Sequence, residues 1–206
     1  MSGVKRATAI RHLVEIAETA NGRRRLLEPS FNWPLDALWV AGDVLSDDTD
    51  VESMTVIMSL DLPAEEVPWL ALNASGEWIG EDLGLPKRPT LWCYRPAAWP
   101  AWNHQSRRVA RFWSETGGPD ESAIGAMQAR QLEKVAVIEP TVDELVAQLR
   151  MELPISEEHL RHVVAQYWER DWRRQHQGYG IHPEDHLWRA AAAVAQMHDA
   201  LEQIQV

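Results

Sequence analysis

Residues 83–114 read LGLPKRPTLWCYRPAAWPAWNHQSRRVARFWS. This segment has no acidic residue, although the whole chain of 206 residues has a net charge of -11. Its six basic residues are interspersed with six large aromatic ones: Lys87, Arg88, Arg95, Arg107, Arg108 and Arg111 with Trp92, Tyr94, Trp99, Trp102, Phe112 and Trp113. It is therefore the one stretch that is both basic and rich in aromatic side chains, and we build the rest of the fold around it.

Two elements are predicted inside this segment. The run Leu91–Tyr94 is apolar and of strand length, which is typical of a buried β-strand. Pro96 and Pro100 come next, and proline is tolerated in the first turn of a helix but not further in. We therefore predict a helix over residues 101–113. Its buried face would carry Trp102, Val109 and Trp113, with the arginines on the other side.

Outward from this segment, the charge of the chain is uneven. Residues 26–82 carry thirteen acids and no base, directly before the six bases of residues 83–114. Neighbouring blocks of opposite charge indicate that the two pair across the fold or line opposite sides of a cleft. Duplex nucleic acid needs an extended positive surface, so it is excluded as a partner.

The order of predicted elements gives the fold class. Helices are predicted over residues 4–20, 64–70, 120–131, 141–153, 156–177 and 183–205, and strands over 38–42, 54–60, 77–80, 91–94 and 135–138. Asn21-Gly22 closes the first helix, Thr141 and Glu144 form a capping box, and Pro154 marks a break between helices. Trp188 and Val164 are assigned to the core.

These elements predict an α/β (α+β) fold with a mixed sheet of about four to five strands flanked by helices and a C-terminal helical hairpin. Residues 1–153 would form the α/β core. Residues 154–206 would form the hairpin, packed on that core.

Composition narrows the class of protein further. Hydrophobic content of 45% and charged content of 25% are ordinary for a soluble globular chain, although eleven tryptophans are not. The single cysteine, Cys93, excludes an internal disulfide and a cysteine-based zinc site, and its apolar neighbours favour a buried side chain. The sequence has neither a signal peptide nor eighteen consecutive apolar residues. We therefore expect a cytoplasmic protein without membrane contact.

The acidic turn between the first two predicted strands carries the first site hypothesis. Gly42 ends one strand, and Asp50-Val51-Glu52 opens the next. This arrangement resembles a degenerate form of the polymerase-beta-like nucleotidyltransferase motif, in which two carboxylates hold the metal ions that bridge a triphosphate. The resemblance implies a nucleotidyltransferase-like core and, in an active enzyme, Mg²⁺ held by Asp50 and Glu52 with Glu139 as the third acid. Asp43 replaces the serine of that motif, which favours a non-catalytic relative.

The chain is also similar to an actinobacterial family of uncharacterised proteins. The similarity lies in four short motifs: Phe31-Asn32-Trp33-Pro34, Trp92-Cys93-Tyr94-Arg95-Pro96, Trp102-Asn103-His104 and Asp185-His186-Leu187-Trp188. It indicates lineage and does not imply an activity.

The basic segment carries the second site hypothesis. A phosphate or carboxylate pocket would use Arg95, His104, Arg107, Arg108 and Arg111, because guanidinium groups bind such anions with two parallel hydrogen bonds. The competing interpretation is that these arginines neutralise the acids of residues 43–52.

Histidines give a third, weaker pattern. His159 and His162 lie three apart, and His182 and His186 lie four apart, so a carboxylate–histidine site between the last two helices is geometrically possible. No metal-binding signature accompanies them, and we assign no metal ligands.

Together these observations predict a non-catalytic, nucleotidyltransferase-like binding or interaction protein without a cofactor. Its partner would be a small anionic ligand or another protein. The alternative is a metal-dependent nucleotidyltransferase that uses Asp50 and Glu52.

Overall fold

The computed structural model describes residues 4–26, 33–178 and 180–204. Phe31 and Asn32 of the predicted linker, and Tyr179 of the predicted hairpin loop, lie outside these ranges. The described elements, in chain order, are β1 (Val4–Lys5), α1 (Arg6–Leu26), β2 (Leu35–Gly42), β3 (Asp50–Val51), β4 (Met54–Leu60), α2 (Ala74–Asp82), β5 (Leu91–Pro96), β6 (Val109–Ser114), β7 (Gly118–Pro119), α3 (Glu121–Gln128), β8 (Val137–Ile138), α4 (Val142–Gln166), α5 (Arg170–Gln175) and α6 (Pro183–Ile204).

The centre of the fold is a mixed sheet with the strand order β5-β4-β2-β6-β7, in which β8 also pairs with β6. β2 is antiparallel to both β4 and β6, whereas β4 and β5 are parallel. A separate two-stranded pair joins β1 to β3. The predicted mixed sheet flanked by helices is therefore confirmed, as are the strands at β2, β4 and β5.

The connection from β5 to β6 contains the largest correction. Because β4 is parallel to β5 and antiparallel to β2, which is antiparallel to β6, strands β5 and β6 run in the same direction. Residues 97–108 must therefore return past β4 and β2 before β6 begins. The predicted helix over 101–113 is wrong: its first part belongs to this crossover, and its last part is β6. The three side chains predicted to be buried there are indeed buried.

Helix α2 fits the sheet through two glycines. A Cβ atom on Gly76 would lie 2.7 Å from the Tyr94 ring, and one on Gly80 would lie 2.8 Å from the Trp92 ring. Both aromatic side chains come from β5, so the bare helix face lets it approach the strand closely. The strand predicted over 77–80 is wrong for this reason: packing against β5 outweighs the low helix propensity of glycine.

Three other elements also differ from the prediction. α1 continues through Asn21-Gly22 to Leu26. The predicted buried strand over 135–138 shortens to β8 at an edge, where Ile138 is exposed. The helix predicted over 64–70 is replaced by turns.

The chain forms two compact units. The sheet unit comprises Met1–Leu62 and Ala74–Pro140, and the helical unit comprises Pro63–Asn73 and Thr141–Val206. The predicted helix break at Pro154 is wrong, because α4 runs from Val142 to Gln166 with Pro154 inside it. The predicted two-domain division, 1–153 and 154–206, stays a prediction.

The helical unit is an antiparallel pair, α4 and α6, with α5 between them in sequence. Its core joins Val163, Trp172 and Ala190. Pro183 opens α6 as predicted, and the capping box at Thr141 and Glu144 is confirmed. The core assignment of Trp188 and Val164 is wrong, since both are exposed.

Candidate functional site

The turn between β2 and β4 is closed by its own polar groups. The Oδ2 atom of Asp43 accepts hydrogen bonds from the backbone N–H groups of Glu52 (2.9 Å) and Ser53 (2.8 Å) and from the Ser53 hydroxyl (3.2 Å). Gly42 has φ +99°, and a Cβ there would lie 2.5 Å from the Ser53 carbonyl oxygen. The Gly42-Asp43 pair, singled out as motif-like, therefore has a local structural role in this turn.

A buried arginine holds the same turn from inside. Arg6 is 5% exposed, and its guanidinium donates to the carbonyl oxygens of Asp43 (3.4 Å), Val44 (2.7 Å), Ser46 (2.8 Å) and Asp48 (3.1 Å). Its Nε donates to the Met127 carbonyl of α3 at 3.2 Å. Burial, followed by the charge of Arg130, lowers the pKa of Arg6. We call residues 43–53 together with Arg6 the closed turn.

The three acids of the enzyme hypothesis lie in or next to different strands. Asp50 lies in β3 opposite Lys5, and exposed Glu52 precedes β4. Glu139 follows β8 and forms an ion pair with Arg108 at 3.3 Å. β8 is three strand positions from β4, or about 14 Å.

Metal binding needs these acids to converge. Among the residues that the structure describes, no group of three or more His, Cys, Asp or Glu side chains is placed to hold a metal ion. The structure therefore does not bring Asp50, Glu52 and Glu139 into one site.

The residues of the predicted anion pocket are also spread out. Arg95 on β5 is 2% exposed; its Nε donates to the Pro100 carbonyl at 2.8 Å, and its guanidinium lies over the Trp99 ring. Arg111 on β6 is exposed, with its guanidinium 5.8 Å from the Trp39 ring centre. Three strand spacings, about 14 Å, separate these two strands. One small anion is therefore not enclosed by both arginines.

The remaining residues of the predicted anion pocket differ in whether they contact other groups or are exposed to solvent. His104 is half-buried in the 97–108 crossover, and Arg108 is engaged by Glu139. Within the described part of the chain, Arg107 and Arg111 are exposed and form no ion pair with an acid. An anion could therefore reach these two arginines at β6.

Two side chains proposed for pairing or chemistry have other surroundings. Arg88 pairs with Glu15 of α1 at 3.3 Å, so this base of the 83–114 segment meets an acid outside residues 43–52. Cys93 is half-buried on β5, and burial raises the pKa of its thiol to about 12. Burial therefore disfavours the thiolate form of Cys93 at neutral pH.

The helical unit exposes aromatic side chains that the sequence analysis had not assigned to a site. Trp168 is 83% exposed and Trp188 is 68% exposed. The Trp168 ring meets the Tyr167 ring edge-on at 4.9 Å, and the Tyr167 hydroxyl donates to Glu184 Oε1 at 3.1 Å. We call Val164, Tyr167, Trp168 and Trp188 the aromatic patch.

Comparison with known proteins gives the family of the chain. In the described residues, no helix has both the length and the apolar character needed to cross a membrane. A search of the curated proteins and a search of the solved structures each returned no significant match. A family model matches residues 4–203, and the chain therefore belongs to the family described as a domain of unknown function, DUF7711.

Proposed function

We propose that this protein is a non-catalytic binding protein that recognises a protein partner through the aromatic patch of its helical unit. The observation that carries the proposal is the exposure of Trp168 and Trp188. Fully solvated tryptophans are unfavourable on an isolated surface, and tryptophan is the residue most enriched among the side chains that dominate binding energy at protein interfaces.

The register of α4 and α6 gives the relative positions of the patch residues. Glu157 of α4 lies opposite His198 of α6, and Tyr167 lies opposite Glu184. This antiparallel register places Trp188 at the level of Val164, one helical turn from Trp168. The exposed side chains therefore lie near one level along the helix pair.

Charge favours a cationic partner. The helical unit has thirteen acids and six bases, a net charge of -7 with histidines neutral. Two copies of this chain would bring equal negative charges together, which disfavours self-association. The matching partner presents an apolar segment flanked by basic residues.

The absence of catalysis in this proposal is supported by the closed turn. The Asp43 oxygen that would face a triphosphate accepts three hydrogen bonds from residues 52 and 53. β2 ends at Gly42 and residues 43–53 lead into β4, an order that supports the proposed nucleotidyltransferase-like origin of the core. The alternative, nucleotidyl transfer with Mg²⁺ on Asp50 and Glu52, requires rearrangement of this turn.

A small anion is a second candidate ligand, on a different surface. The observation that favours it is the pair of exposed arginines on and before β6, Arg107 and Arg111, with Arg111 lying over the half-buried Trp39 ring. Such a site would take one phosphate or carboxylate group beside an aromatic face. Calorimetric titration with inorganic phosphate tests it, and heat that persists in Arg111→Ala would contradict the assignment.

The principal proposal is tested with a synthetic partner. A fluorescein-labelled amphipathic helical peptide of leucine and lysine is titrated with the full chain, and anisotropy is recorded. A peptide in which glutamate replaces lysine measures the charge preference. We expect binding of the lysine peptide only, and about 30-fold weaker binding after Trp168→Ala with Trp188→Ala, which corresponds to about 2 kcal/mol.

The matched control is Met151→Ala, which removes an exposed apolar side chain of α4 outside the aromatic patch. This variant should bind as the parent chain does. Equal binding of both peptides, or unchanged binding by the double tryptophan variant, would contradict the proposal. Concentration-dependent dimerisation in light scattering, lost in the double variant, would instead identify a second copy as the partner.

A further inference from the structure

Three aromatic rings stack within the helical unit around the short helix α5. The Trp172 side chain is 6% exposed, and the His176 ring lies on it at 4.1 Å with an interplanar angle of 18°. The His186 ring of α6 meets His176 edge-on at 4.8 Å and Trp172 at 5.9 Å. We call Trp172, His176 and His186 the histidine–tryptophan cluster.

The surroundings of the cluster disfavour positive charge. The titratable and charged groups that act on His186 are His176 from α5, His159 from α4, and Asp185 and Arg189 from its own helix. Only Asp185 among these carries negative charge, and its Oδ2 accepts a hydrogen bond from the His182 backbone N–H. Protonating His186 would therefore place a positive charge in a partly buried site where only one of these neighbouring groups is negative.

The cluster is also the principal attachment of α5. This helix has six residues, too few to be stable by itself in water. Trp172 holds it in the core with Val163 and Ala190, and Arg173 pairs with Glu184 at 2.6 Å. Loss of the Trp172 packing would therefore release α5 as a unit.

We propose that the histidine–tryptophan cluster is an acid-sensitive switch: protonation of His186 detaches α5 from α4 and α6. Detachment also removes the ring contact between Trp172 and Tyr167, and Tyr167 in turn supports Trp168. Acid would thus alter the aromatic patch. The switch itself does not depend on the proposed partner, and only this last consequence does.

The direction of the pH effect follows from the two states. Burial, with the charges of His176 and His159, lowers the pKa of His186 to about 4 in the folded chain, whereas a solvated histidine has a pKa of about 6.5. The detached state, in which His186 of α6 is solvated, therefore binds more protons between these pH values. The attached state is fully favoured above about pH 6.5 and loses stability as the pH falls toward 4, by up to about tenfold per pH unit for one group.

The neighbouring ion pair titrates in a different range. Its hydrogen bond with Arg173 holds the pKa of Glu184 at about 2, so this carboxylate stays charged at pH 5. A folded pKa below the ordinary value stabilises the attached state above about pH 4.5. This stabilisation is lost only as the pH falls further. Detachment between pH 6.5 and 5 is therefore attributable to His186.

Hydrogen exchange by mass spectrometry tests the switch on the full chain at pH 7.5, 6.5 and 5.0, corrected for the intrinsic pH dependence of exchange. We expect protection of a peptide covering residues 170–176 to fall about thirtyfold between pH 7.5 and 5.0. A peptide from residues 142–155 should keep its protection. Uniform protection at 170–176 across this range would overturn the proposal.

Two substitutions separate the switch from general acid destabilisation. His186→Phe keeps an aromatic ring without a titratable group, so protection of residues 170–176 should become independent of pH. If that variant does not fold, His186→Gln removes the titratable group in its place, with the same expected result. His198→Gln, on the same helix but paired with Glu157 outside the cluster, is the control and should behave as the parent chain does. If a folded His186 variant showed the same pH dependence of protection at residues 170–176 as the parent chain, the proposal would be overturned.

Discussion

The closed turn of the sheet unit and the aromatic patch of the helical unit differ in whether their side chains are engaged within the fold or exposed to solvent. In the closed turn, Asp43 and Arg6 direct their hydrogen bonds to neighbouring backbone groups. In the aromatic patch, Trp168 and Trp188 project into solvent. Charged residues are therefore poor guides to function in this chain, because the most prominent of them stabilise the fold. The proposed recognition is therefore assigned to the tryptophans, whose side chains are mainly outside the core.

The largest expected effect tests whether the closed turn depends on its buried cation. Arg6→Ala would leave several carbonyls without a donor, and an unsatisfied buried group costs about 1–3 kcal/mol. We expect the free energy of unfolding to fall by at least about 3 kcal/mol in urea denaturation.

Arg11→Ala, on the exposed side of the same helix, is the matched control for Arg6→Ala. Its effect should stay within about 0.5 kcal/mol. Similar losses in the two variants would show that the carbonyl contacts of Arg6 have no special importance.

The next effect tests the backbone geometry of the turn. Gly42→Ala introduces a Cβ at φ +99°, against the Ser53 carbonyl. We expect a loss of about 2–3 kcal/mol in the free energy of unfolding. Gly22→Ala is the control: its Cβ has open space within α1, and alanine there should stabilise by about 0.5–1 kcal/mol. Tolerance of alanine at Gly42 would contradict the tight turn.

The smallest effect on stability is expected at the aromatic patch. Trp168→Ala and Trp188→Ala should each change the free energy of unfolding by less than about 0.5 kcal/mol, because both side chains are mainly solvated. Urea denaturation of the two variants measures this directly. A loss above about 2 kcal/mol would assign the tryptophans to packing and remove the contrast with the closed turn.

Local sequence signals predicted those elements in which local and tertiary preferences agree. β2, β4 and β5 are apolar runs of strand length, and the capping box fixes the start of α4. β6 was not predicted as a strand. The register of its pairing with β2 shifts between Leu38 and Trp39, which interrupts the two-residue alternation of buried and exposed side chains along β6. Likewise, α2 contains two glycines that allow close packing against β5. This role is evident only from the structure, in which Tyr94 and Trp92 lie opposite them.

The site was less predictable than the fold. The sequence drew attention to Gly42 and Asp43, but it gave no sign that the Asp43 carboxylate binds residues 52 and 53. The position of Arg6 opposite four carbonyls of the turn depends on how α1 packs, which no local pattern specifies. Trp188 occupies a helix whose buried stripe is made of Ala190, Ala193 and Met197. The run of residues 190–195 that follows it is too uniformly apolar to show which side of the helix faces solvent.

The crossover between β5 and β6 also has a consequence for synthesis of the protein. β2 pairs with β4 soon after both leave the ribosome, but its other edge pairs with β6, which begins about 67 residues after β2 ends. At ordinary translation rates of about 5–20 residues per second, that edge stays open for several seconds. An open strand edge can pair with another nascent chain. Translation speed between residues 42 and 114 therefore sets the time during which this protein is most susceptible to aggregation.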